Sequence, residues 1–258
     1  MKKFVCILLM LVLVAVLAYS LWQIVGITGE YKAGEEVYEE LEQFFVMPET
    51  IPAQTMAADE TVEEETAPVE IIQWPEADFE SLAQVNSDVA GWLYIPGTVI
   101  NYPVVQGADN DYYLKHMFNG KYNSSGCIFL DCGAEGDFTS MNSVLHGHHM
   151  KNGSMFAGIC KYKEQSYFDE HPTAMLLTPE GNYLVKFFAG YVCKTTNDAW
   201  NSSFAEEDHQ TWLDERVRQS CFDSDVIPTT EDRVLTLSTC SYEFKDARFV
   251  LHGILVPA

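Results

Sequence analysis

Basic residues are scarce in this sequence. Its 258 residues include 15 lysines and arginines against 38 aspartates and glutamates, which gives a formal net charge of −23. Nucleic-acid binding is driven by lysine and arginine side chains that release counterions from phosphates, so a chain of this charge is expected to repel nucleic acid. The charge balance excludes a nucleic-acid partner and argues against loose adsorption to anionic lipid headgroups.

Paired-cysteine motifs are also missing. The chain has 7 cysteines, but no CxxC occurs, and Cys127 and Cys132 in GCIFLDC fit neither a zinc nor a thioredoxin-type spacing. The six cysteines outside the N-terminal segment could form three bridges, although a chain of this size does not need that framework. We expect mostly free thiols, one of them functional, and neither a metal nor another cofactor.

No charged residue occurs between Phe4 and Val25. These 22 residues (25 − 4 + 1) match the roughly 20 that span a bilayer as a helix. The alternative is a cleaved signal peptide, but its apolar core would be shorter, and here the apolar run continues past the weak cleavage candidate at Val16–Ala18. We predict that residues 1–25 form a single-pass anchor in the cell membrane. Lysines at positions 2 and 3 predict a cytoplasmic N-terminus and an extracellular body.

Core-forming residues are sparse from 26 to 73. Val37, Leu41 and Phe44 have helical spacing in an acidic segment, which favours a short helix. The proline-, threonine- and glutamate-rich stretch that follows cannot bury enough apolar area to offset its ordering entropy. We predict that residues 26–73 are an acidic flexible stalk and that residues 74–258 are the folded domain.

The predicted domain consists of short β-rich runs separated by turns. Two such runs flank Pro179–Asn182 and predict a hairpin, and a helix is predicted after Ser203, where Ser203 and Glu206 have the spacing of a capping box. A short helix is also predicted in DFESLAQVN. Because helices are few and strands do not alternate strictly with them, the pattern favours a mainly β fold, a largely antiparallel barrel.

A thiol and a guanidinium flank the loop between the last two predicted strands. The β-like run Val234–Leu237 leads to Cys240, and Arg248 opens the next run, Phe249–Leu251. A nucleophilic cysteine needs an acid–base partner, which can lie far away in sequence. That partner must come from the 7 histidines.

His148 has the best position among them. A β-like run ends at Gly147, and a histidine that follows a strand-end glycine has the exposure that acid–base chemistry requires. A metal site made by His146, His148 and His149 is the competing hypothesis, which the absence of a carboxylate four residues further on disfavours. The remaining histidines are predicted to be structural or solvated: His116 and His171 in polar loops, His209 on the polar face of a helix, and His252 in the final strand.

These segments resemble the sortases, the cysteine transpeptidases that attach proteins to bacterial cell walls. LHGHHMKNGSMF, TLSTC and ARFVLHG occur in the family's order and spacing, and GWLYIPGTVINYPVVQGADNDYYL is similar to class B. The resemblance covers residues 78–256. The chain departs from the class B pattern at His149, where asparagine is usual, and at Ser241, where an acidic residue often follows the cysteine.

The resemblance implies a fold and a set of site residues. The fold is a sortase-type closed, antiparallel-rich β-barrel of about eight strands with peripheral helices, preceded by a transmembrane helix and a stalk. The catalytic residues implied are Cys240, His148 and Arg248, and the residues implied to line the substrate groove are Asn110, Leu114 and Ser238. For Asn110, a role as a helix N-cap is an equal alternative.

The implied activity is that of a membrane-anchored transpeptidase. It would cleave a C-terminal sorting motif similar to LPXTG or NPXTN after the threonine and transfer the acyl group to a peptidoglycan amine. Its partners would be surface proteins with that motif, the amine of a wall precursor and the membrane around the N-terminal helix. A pilin-polymerising sortase and a cysteine peptidase without transfer are the alternatives. Papain-like and NlpC-like hydrolases are disfavoured because they place cysteine before histidine, whereas His148 precedes Cys240 by 240 − 148 = 92 residues.

Overall fold

The computed structural model describes residues 2–48 and 73–258; half of the predicted stalk, residues 49–72, lies outside the described residues. The α-helices are α1 Lys2–Leu41, α2 Phe79–Val85, α3 Gln165–Glu170 and α4 Glu206–Gln219. The 3-10 helices are Glu42–Phe44, Tyr112–Leu114 and Phe156–Lys163. The strands are β1 Phe45–Val46, β2 Glu76–Ala77, β3 Val89–Tyr94, β4 Asn101–Val105, β5 Ile128–Leu130, β6 Asn142–His146, β7 Thr173–Thr178, β8 Gly181–Lys194, β9 Val234–Cys240 and β10 Ala247–Pro257.

Eight strands close into a barrel in the order β10-β8-β7-β3-β4-β5-β6-β9. The pairs β4–β5 and β6–β9 are parallel and the other six neighbouring pairs are antiparallel, so the prediction of a closed, antiparallel-rich barrel is confirmed. Large side chains such as Trp92, Phe187 and Phe249 are fully buried. Every residue of β9 except Cys240 is buried, as expected of a strand covered on both faces.

The parallel β6–β9 pair determines where the site can form. In a parallel pair both strands end at the same edge of the sheet. The register joins His146 to Ser238, so the chain leaves β6 beside the end of β9. The antiparallel strand β10 begins at that edge, with Arg248 opposite Cys240. Segments that are far apart in sequence are therefore brought to one edge of the barrel.

Helix α1 has two halves of different character. Large apolar side chains from Phe4 to Ile27 are exposed on all sides, and the helix is long and apolar enough to cross a membrane. Beyond Glu30 one face turns towards the barrel, and Gly34, Tyr38 and Leu41 are buried there at helical spacing.

The prediction of a flexible stalk is therefore corrected for residues 26–48. The acidic segment forms the predicted helix, but the helix continues the apolar span without a break and joins the hydrophobic core through Tyr38 and Leu41. The chain then pairs β1 with β2, so that Phe45 lies opposite Ala77. This docking is not evident from composition, because only a few positions of the helix are buried and its other faces carry glutamates.

The two helix starts predicted from sequence had different outcomes. The helix predicted in DFESLAQVN is confirmed as α2, which Asp78 caps by accepting from the backbone N–H of Ser81 at 3.0 Å. The capping box predicted at Ser203 is wrong, because α4 begins later and Ala205 is its N-cap. Instead, Phe204 stacks on His209 with ring centroids 5.0 Å apart, a contact between the residue before the cap and the fourth helical residue. His209 is only 1% exposed, so its prediction as a polar-face residue is also wrong.

Candidate active site

Cys240 and Arg248 lie side by side. Cys240 ends β9, Arg248 is the second residue of β10, and the two are directly paired in the antiparallel register. Side chains of directly opposed residues lie on one face with Cβ atoms about 4.5–5.5 Å apart. Both residues are half-buried, and among the described residues Arg248 forms no salt bridge. The Arg248 guanidinium donates to the neighbouring Ala247 carbonyl at 3.0 Å and keeps further donors. A thiol and a guanidinium without a carboxylate partner among the described residues thus share one surface.

His148 reaches the same edge through Gly147. The backbone N–H of Gly147 donates to the Ser238 carbonyl at 3.1 Å, and the Thr239 hydroxyl donates to the Gly147 carbonyl at 2.8 Å. A Cβ atom at position 147 would lie 2.5 Å from the Cδ1 of Ile128, so only glycine allows this close approach. Two residues beyond the His146–Ser238 pair, the chain brings His148 to the level of Cys240.

The imidazole of His148 is oriented by a backbone carbonyl. Its Nε2 lies 2.7 Å from the carbonyl oxygen of Leu114. A carbonyl oxygen only accepts hydrogen bonds, so Nε2 carries the proton in this contact. In the neutral ring, Nδ1 is then the nitrogen with a free lone pair.

One pocket of about 450 Å³ contains the six residues that the sequence singled out. Cys240, His148 and Arg248 line it together with Asn110, Leu114 and Ser238. The Trp200 indole N–H donates to the Ser238 hydroxyl at 3.0 Å, which fixes one wall. The remaining lining residues are Phe129, Asp131, His146, Gly147, Thr195, Trp200 and Thr239.

A polar network in this pocket was not predicted from sequence. Asp131 Oδ2 lies 3.0 Å from His146 Nε2 and accepts from the Asn110 side-chain amide at 2.8 Å. The hydrogen bond from His146 lowers the pKa of the Asp131 carboxyl, which burial opposes. His146 could have been assigned to the pocket from its spacing, because alternate residues of an extended strand face the same side and His148 lies two positions on.

The bonds of Asn110 also bear on its possible role as a helix N-cap. Its side-chain oxygen accepts from the backbone N–H of Cys132 at 2.9 Å. The N–H groups of Asp111 and Tyr112 are instead bonded by the carboxylate of Asp109. The N-cap alternative for Asn110 is therefore wrong, and its amide belongs to the pocket network.

His149 lies against a different surface. Its Nδ1 is 2.9 Å from the Cys240 carbonyl oxygen and 3.5 Å from the Cys160 sulfur, and its ring packs edge-on against Tyr242. His149 lines a separate groove that His148 does not line. His146, His148 and His149 have different bonding partners, Asp131, Leu114 and Cys240, and so do not converge on one point.

The other cysteines differ from Cys240 in their surroundings. All seven thiols are unpaired, as predicted. Burial raises the pKa of the Cys127 thiol to about 12 and that of Cys193 to about 11, so both remain protonated at neutral pH. Of the seven, only Cys240 lines the pocket with His148 and Arg248.

The loop after Cys240 is held by charge. Lys163 contacts both the Ser241 hydroxyl, at 3.2 Å, and the carboxylate of Glu243, and Ser241 also bonds Glu243. Burial alone would raise the pKa of Glu243, but the hydrogen bonds from Lys163 and Ser241 outweigh it and lower the pKa to about 2. This network fixes the segment that joins Cys240 to Arg248.

Comparison with known proteins gives consistent matches. The sequence model of the family described as Sortase domain matches residues 93–256. The chain is 38% identical to sortase B of Listeria monocytogenes over 184 residues, which cover 69% of this chain and 74% of that protein. It is 32% identical to sortase B of Staphylococcus aureus over 247 residues, which cover 95% of this chain and 93% of that protein.

Solved structures agree with the sequence relatives. A Bacillus anthracis sortase B matches with a TM-score of 0.73 and 28% identity, over 90% of this chain and all of that one. A substrate complex of Staphylococcus aureus sortase B matches with a TM-score of 0.67 and 34% identity, over 70% of this chain and 85% of that one. A sortase B complexed with triglycine matches with a TM-score of 0.66 and 34% identity, over 70% of this chain and 86% of that one.

Proposed function

Since this chain belongs to the sortase family and is a cysteine transpeptidase, we propose that it cleaves a C-terminal sorting motif similar to LPXTG or NPXTN after the threonine. The acyl group is then transferred to an amine of a peptidoglycan precursor. The observation that carries this proposal is the pocket in which Cys240, paired with Arg248, meets His148. A thiol, an imidazole and a guanidinium on one surface are the groups that acyl transfer through a thioester requires.

The first half of the reaction makes a thioester. The Cys240 thiolate attacks the threonine carbonyl carbon, and the carbonyl oxygen takes the electron pair. When the tetrahedral intermediate collapses, the carbon–nitrogen bond breaks and His148 donates its proton to the leaving amine. In the second half an incoming amine attacks the thioester, His148 takes its proton, and the carbon–sulfur bond breaks to restore the thiolate. The hydrogen bond to Leu114 supports this role, because it leaves Nδ1 available for the proton.

Arg248 is assigned to the oxyanion or to a substrate carbonyl. The guanidinium remains charged at all relevant pH values and presents several donors in a fixed plane. Its position opposite Cys240, with no carboxylate partner among the described residues, supports this assignment. Loss of one oxyanion donor typically lowers the rate about 10²–10³-fold.

Asn110, Leu114 and Ser238 are proposed to contact the sorting motif. All three line the pocket around Cys240. Leu114 offers an apolar side chain, while Asn110 and Ser238 have further hydrogen-bonding capacity beyond their bonds to Asp131 and Trp200. An apolar pocket with a few fixed polar groups suits an extended peptide of mixed character.

The partners follow from the same family membership. The relatives include a sortase B in complex with substrate and a sortase B complexed with triglycine, two classes of ligand of those proteins. We extend both classes to this chain: surface proteins with the motif as donors and a wall-precursor amine as acceptor.

The membrane is the third proposed partner. Helix α1 would anchor the chain through residues 1–25 in a single pass, with the N-terminus in the cytoplasm and residues 74–258 outside the cell. The exposed apolar half of α1 supports the span, and the lysines before it support the sidedness.

A panel of peptides and amines tests the proposal. The full chain in detergent micelles is incubated with LPXTG-like and NPXTN-like peptides, each with and without glycine oligomers or other amines, and the products are read by mass spectrometry. We expect an acyl-enzyme of defined mass and, with amine present, a ligated peptide cut after threonine. Cleavage that gives only the free acid at every amine concentration would instead favour a peptidase without transfer.

A further inference from the structure

The docked half of α1 is bonded to one turn of the barrel. This docked segment is Glu30–Leu41. The side-chain carboxylate of Glu30 accepts from the backbone N–H of Ser124 at 2.8 Å. The backbone carbonyl of Glu30 accepts from the side-chain amide of Asn123 at 2.8 Å. Gly34 packs so closely that a Cβ atom there would lie 2.9 Å from the Ser125 hydroxyl. Each turn of the helix thus meets successive residues of the segment Asn123–Cys127.

Tyr38 makes the deepest of these contacts. It is 8% exposed, its hydroxyl donates to the Gly126 carbonyl at 2.5 Å, and the same hydroxyl lies 3.4 Å from the Cys127 sulfur. Its ring packs edge-on against Tyr102 at 5.3 Å. The turn is therefore fixed from outside by a side chain that belongs to the anchor helix.

The inner side of the turn contacts the segment that holds His148. The Cys127 N–H donates to the Tyr113 carbonyl at 2.9 Å. Gly126 has a positive φ of 57°, and a Cβ atom there would meet the Tyr113 carbonyl at 2.4 Å and the Leu114 carbonyl at 2.9 Å. Only a glycine backbone fits between Tyr38 and these carbonyls. The Leu114 carbonyl is the acceptor for His148 Nε2.

We propose that Tyr38 is a positioning residue for the transpeptidase reaction: through Gly126 it fixes the Leu114 carbonyl, and that carbonyl fixes the ring orientation and tautomer of His148. The inference rests on the acid–base role proposed for His148. It makes the helix that continues from the membrane span a part of the active site's support. An imidazole that loses this acceptor can rotate or exchange tautomers. When the proton moves to Nδ1, that nitrogen no longer has the free lone pair that proton transfer requires.

Removal of the hydroxyl alone tests the proposal in the full chain. Tyr38→Phe keeps the ring packing on Tyr102 but deletes the bond to Gly126. We expect kcat to fall about fivefold with KM unchanged, the rate equivalent of one hydrogen bond. Nitrogen-15 spectra of the histidine-labelled Tyr38→Phe chain in micelles should show that His148 is no longer confined to the tautomer with the proton on Nε2. The signals of His148 are identified by their loss in His148→Gln.

Tyr31→Phe is the matched control. Tyr31 lies on the same helix and packs on the same core, but in the part of the chain that the structure describes its hydroxyl has no hydrogen-bond partner. The control should retain the native kcat and His148 spectrum. Tyr38→Ala is added as a larger change and should lower kcat further.

The outcomes separate this inference from the proposed function. Native kcat together with a native His148 spectrum in Tyr38→Phe would overturn the positioning role. A lower kcat with an unchanged His148 spectrum would overturn it as well, because a general loosening of the structure would be enough to explain that result. His148→Ala is measured alongside. If it keeps cleaving the motif peptide, the proposed function fails; if it loses cleavage while Tyr38→Phe behaves as wild type, only the inference fails.

Discussion

Two clusters around Cys240 each contain a thiol, an imidazole and a basic side chain. The pocket contains the Cys240 thiol, the His148 imidazole and the Arg248 guanidinium. Close to the Cys240 carbonyl and Ser241 lies a second set, which we name the rear cluster: Cys160, His149 and Lys163. No member of the rear cluster lines the pocket.

The clusters differ in ion pairing and in access to the pocket. In the rear cluster, His149 is bonded to the Cys240 carbonyl, Lys163 is paired with Glu243, and burial raises the pKa of Cys160. In the pocket, His148 is likewise bonded to the Leu114 carbonyl and Arg248 to the Ala247 carbonyl. Arg248 has no carboxylate partner among the described residues, however, and all three side chains line one cavity. Residue types alone do not define a reactive site; unused hydrogen-bonding capacity and exposure to a cavity do.

The two thiols should give the largest contrast. Cys240→Ala is expected to abolish cleavage and acyl-enzyme formation while the domain stays folded, because the attacking sulfur is gone. Cys160→Ala should retain acyl-enzyme formation, since its thiol is partly buried behind the nucleophile. Mass spectrometry of the enzyme after mixing with a motif peptide distinguishes the two. A folded Cys240→Ala protein that cleaves normally would contradict the assignment.

The second-largest difference is expected between the neighbouring histidines, His148 and His149. His148→Ala is expected to lower kcat about 10²–10⁴-fold, the usual contribution of general acid–base catalysis. His149→Ala removes a bond to a backbone carbonyl and should cost no more than about fivefold. Steady-state kinetics on one peptide compares them. A larger loss in His149→Ala would move the acid–base role to the rear cluster.

The two basic side chains, Arg248 and Lys163, should show a third and smaller difference in kcat/KM when they are substituted. Arg248→Lys keeps the charge but loses the planar set of donors, and we expect kcat/KM to fall about 10²-fold. Lys163→Arg keeps a cation beside Glu243 and should change kcat/KM less than about twofold. Turnover by Arg248→Lys within a few-fold of wild type would show that Arg248 acts only as a charge.

Acid should reveal a small effect at Glu243, the carboxylate paired with Lys163 of the rear cluster. The pKa of Glu243 is lowered from 4.5 to about 2, so its pairing stabilises the fold above pH 4.5 and is lost as the pH falls towards 2. The side chain of Glu243 is 40% exposed, so the contribution should stay below about 1 kcal/mol. Calorimetry on Glu243→Gln should show a smaller acid-induced fall in Tm than wild type. Equal falls would mean that the network adds no stability.

The pocket was the part of the molecule most open to prediction. Cys240, His148 and Arg248 follow or begin β-rich runs, and the order of their motifs matches a known family, so sequence alone could propose them together. Asp131 and His146 were missed as a pair, because their contact depends on the β5–β6 pairing, which no local pattern encodes. His209 was misassigned because Phe204, outside the helix, covers its ring.

Helix α1 shows the opposite balance. Its apolar half is evident from the absence of charge over Phe4–Val25, since a span needs only length and composition. Its docked half depends on Gly34 and Tyr38, and their partners lie about 90 residues further on. Because this segment is rich in glutamate, its composition predicts a spacer. In the structure, the contacts of Gly34 and Tyr38 dock the segment on the barrel instead.

The parallel pairing of β6 with β9 also bears on how the enzyme is made. Asn142 pairs with Val234, so segments that lie 234 − 142 = 92 positions apart in sequence must meet before these strands can pair. Pairings between distant segments form late, because the chain loses the entropy of the intervening loop before it gains the contact. His148 and Cys240 therefore come together only as the barrel closes. Until that step the Cys240 thiol is apart from the histidine to which we assign proton transfer, so on this proposal the protein becomes active only as it folds.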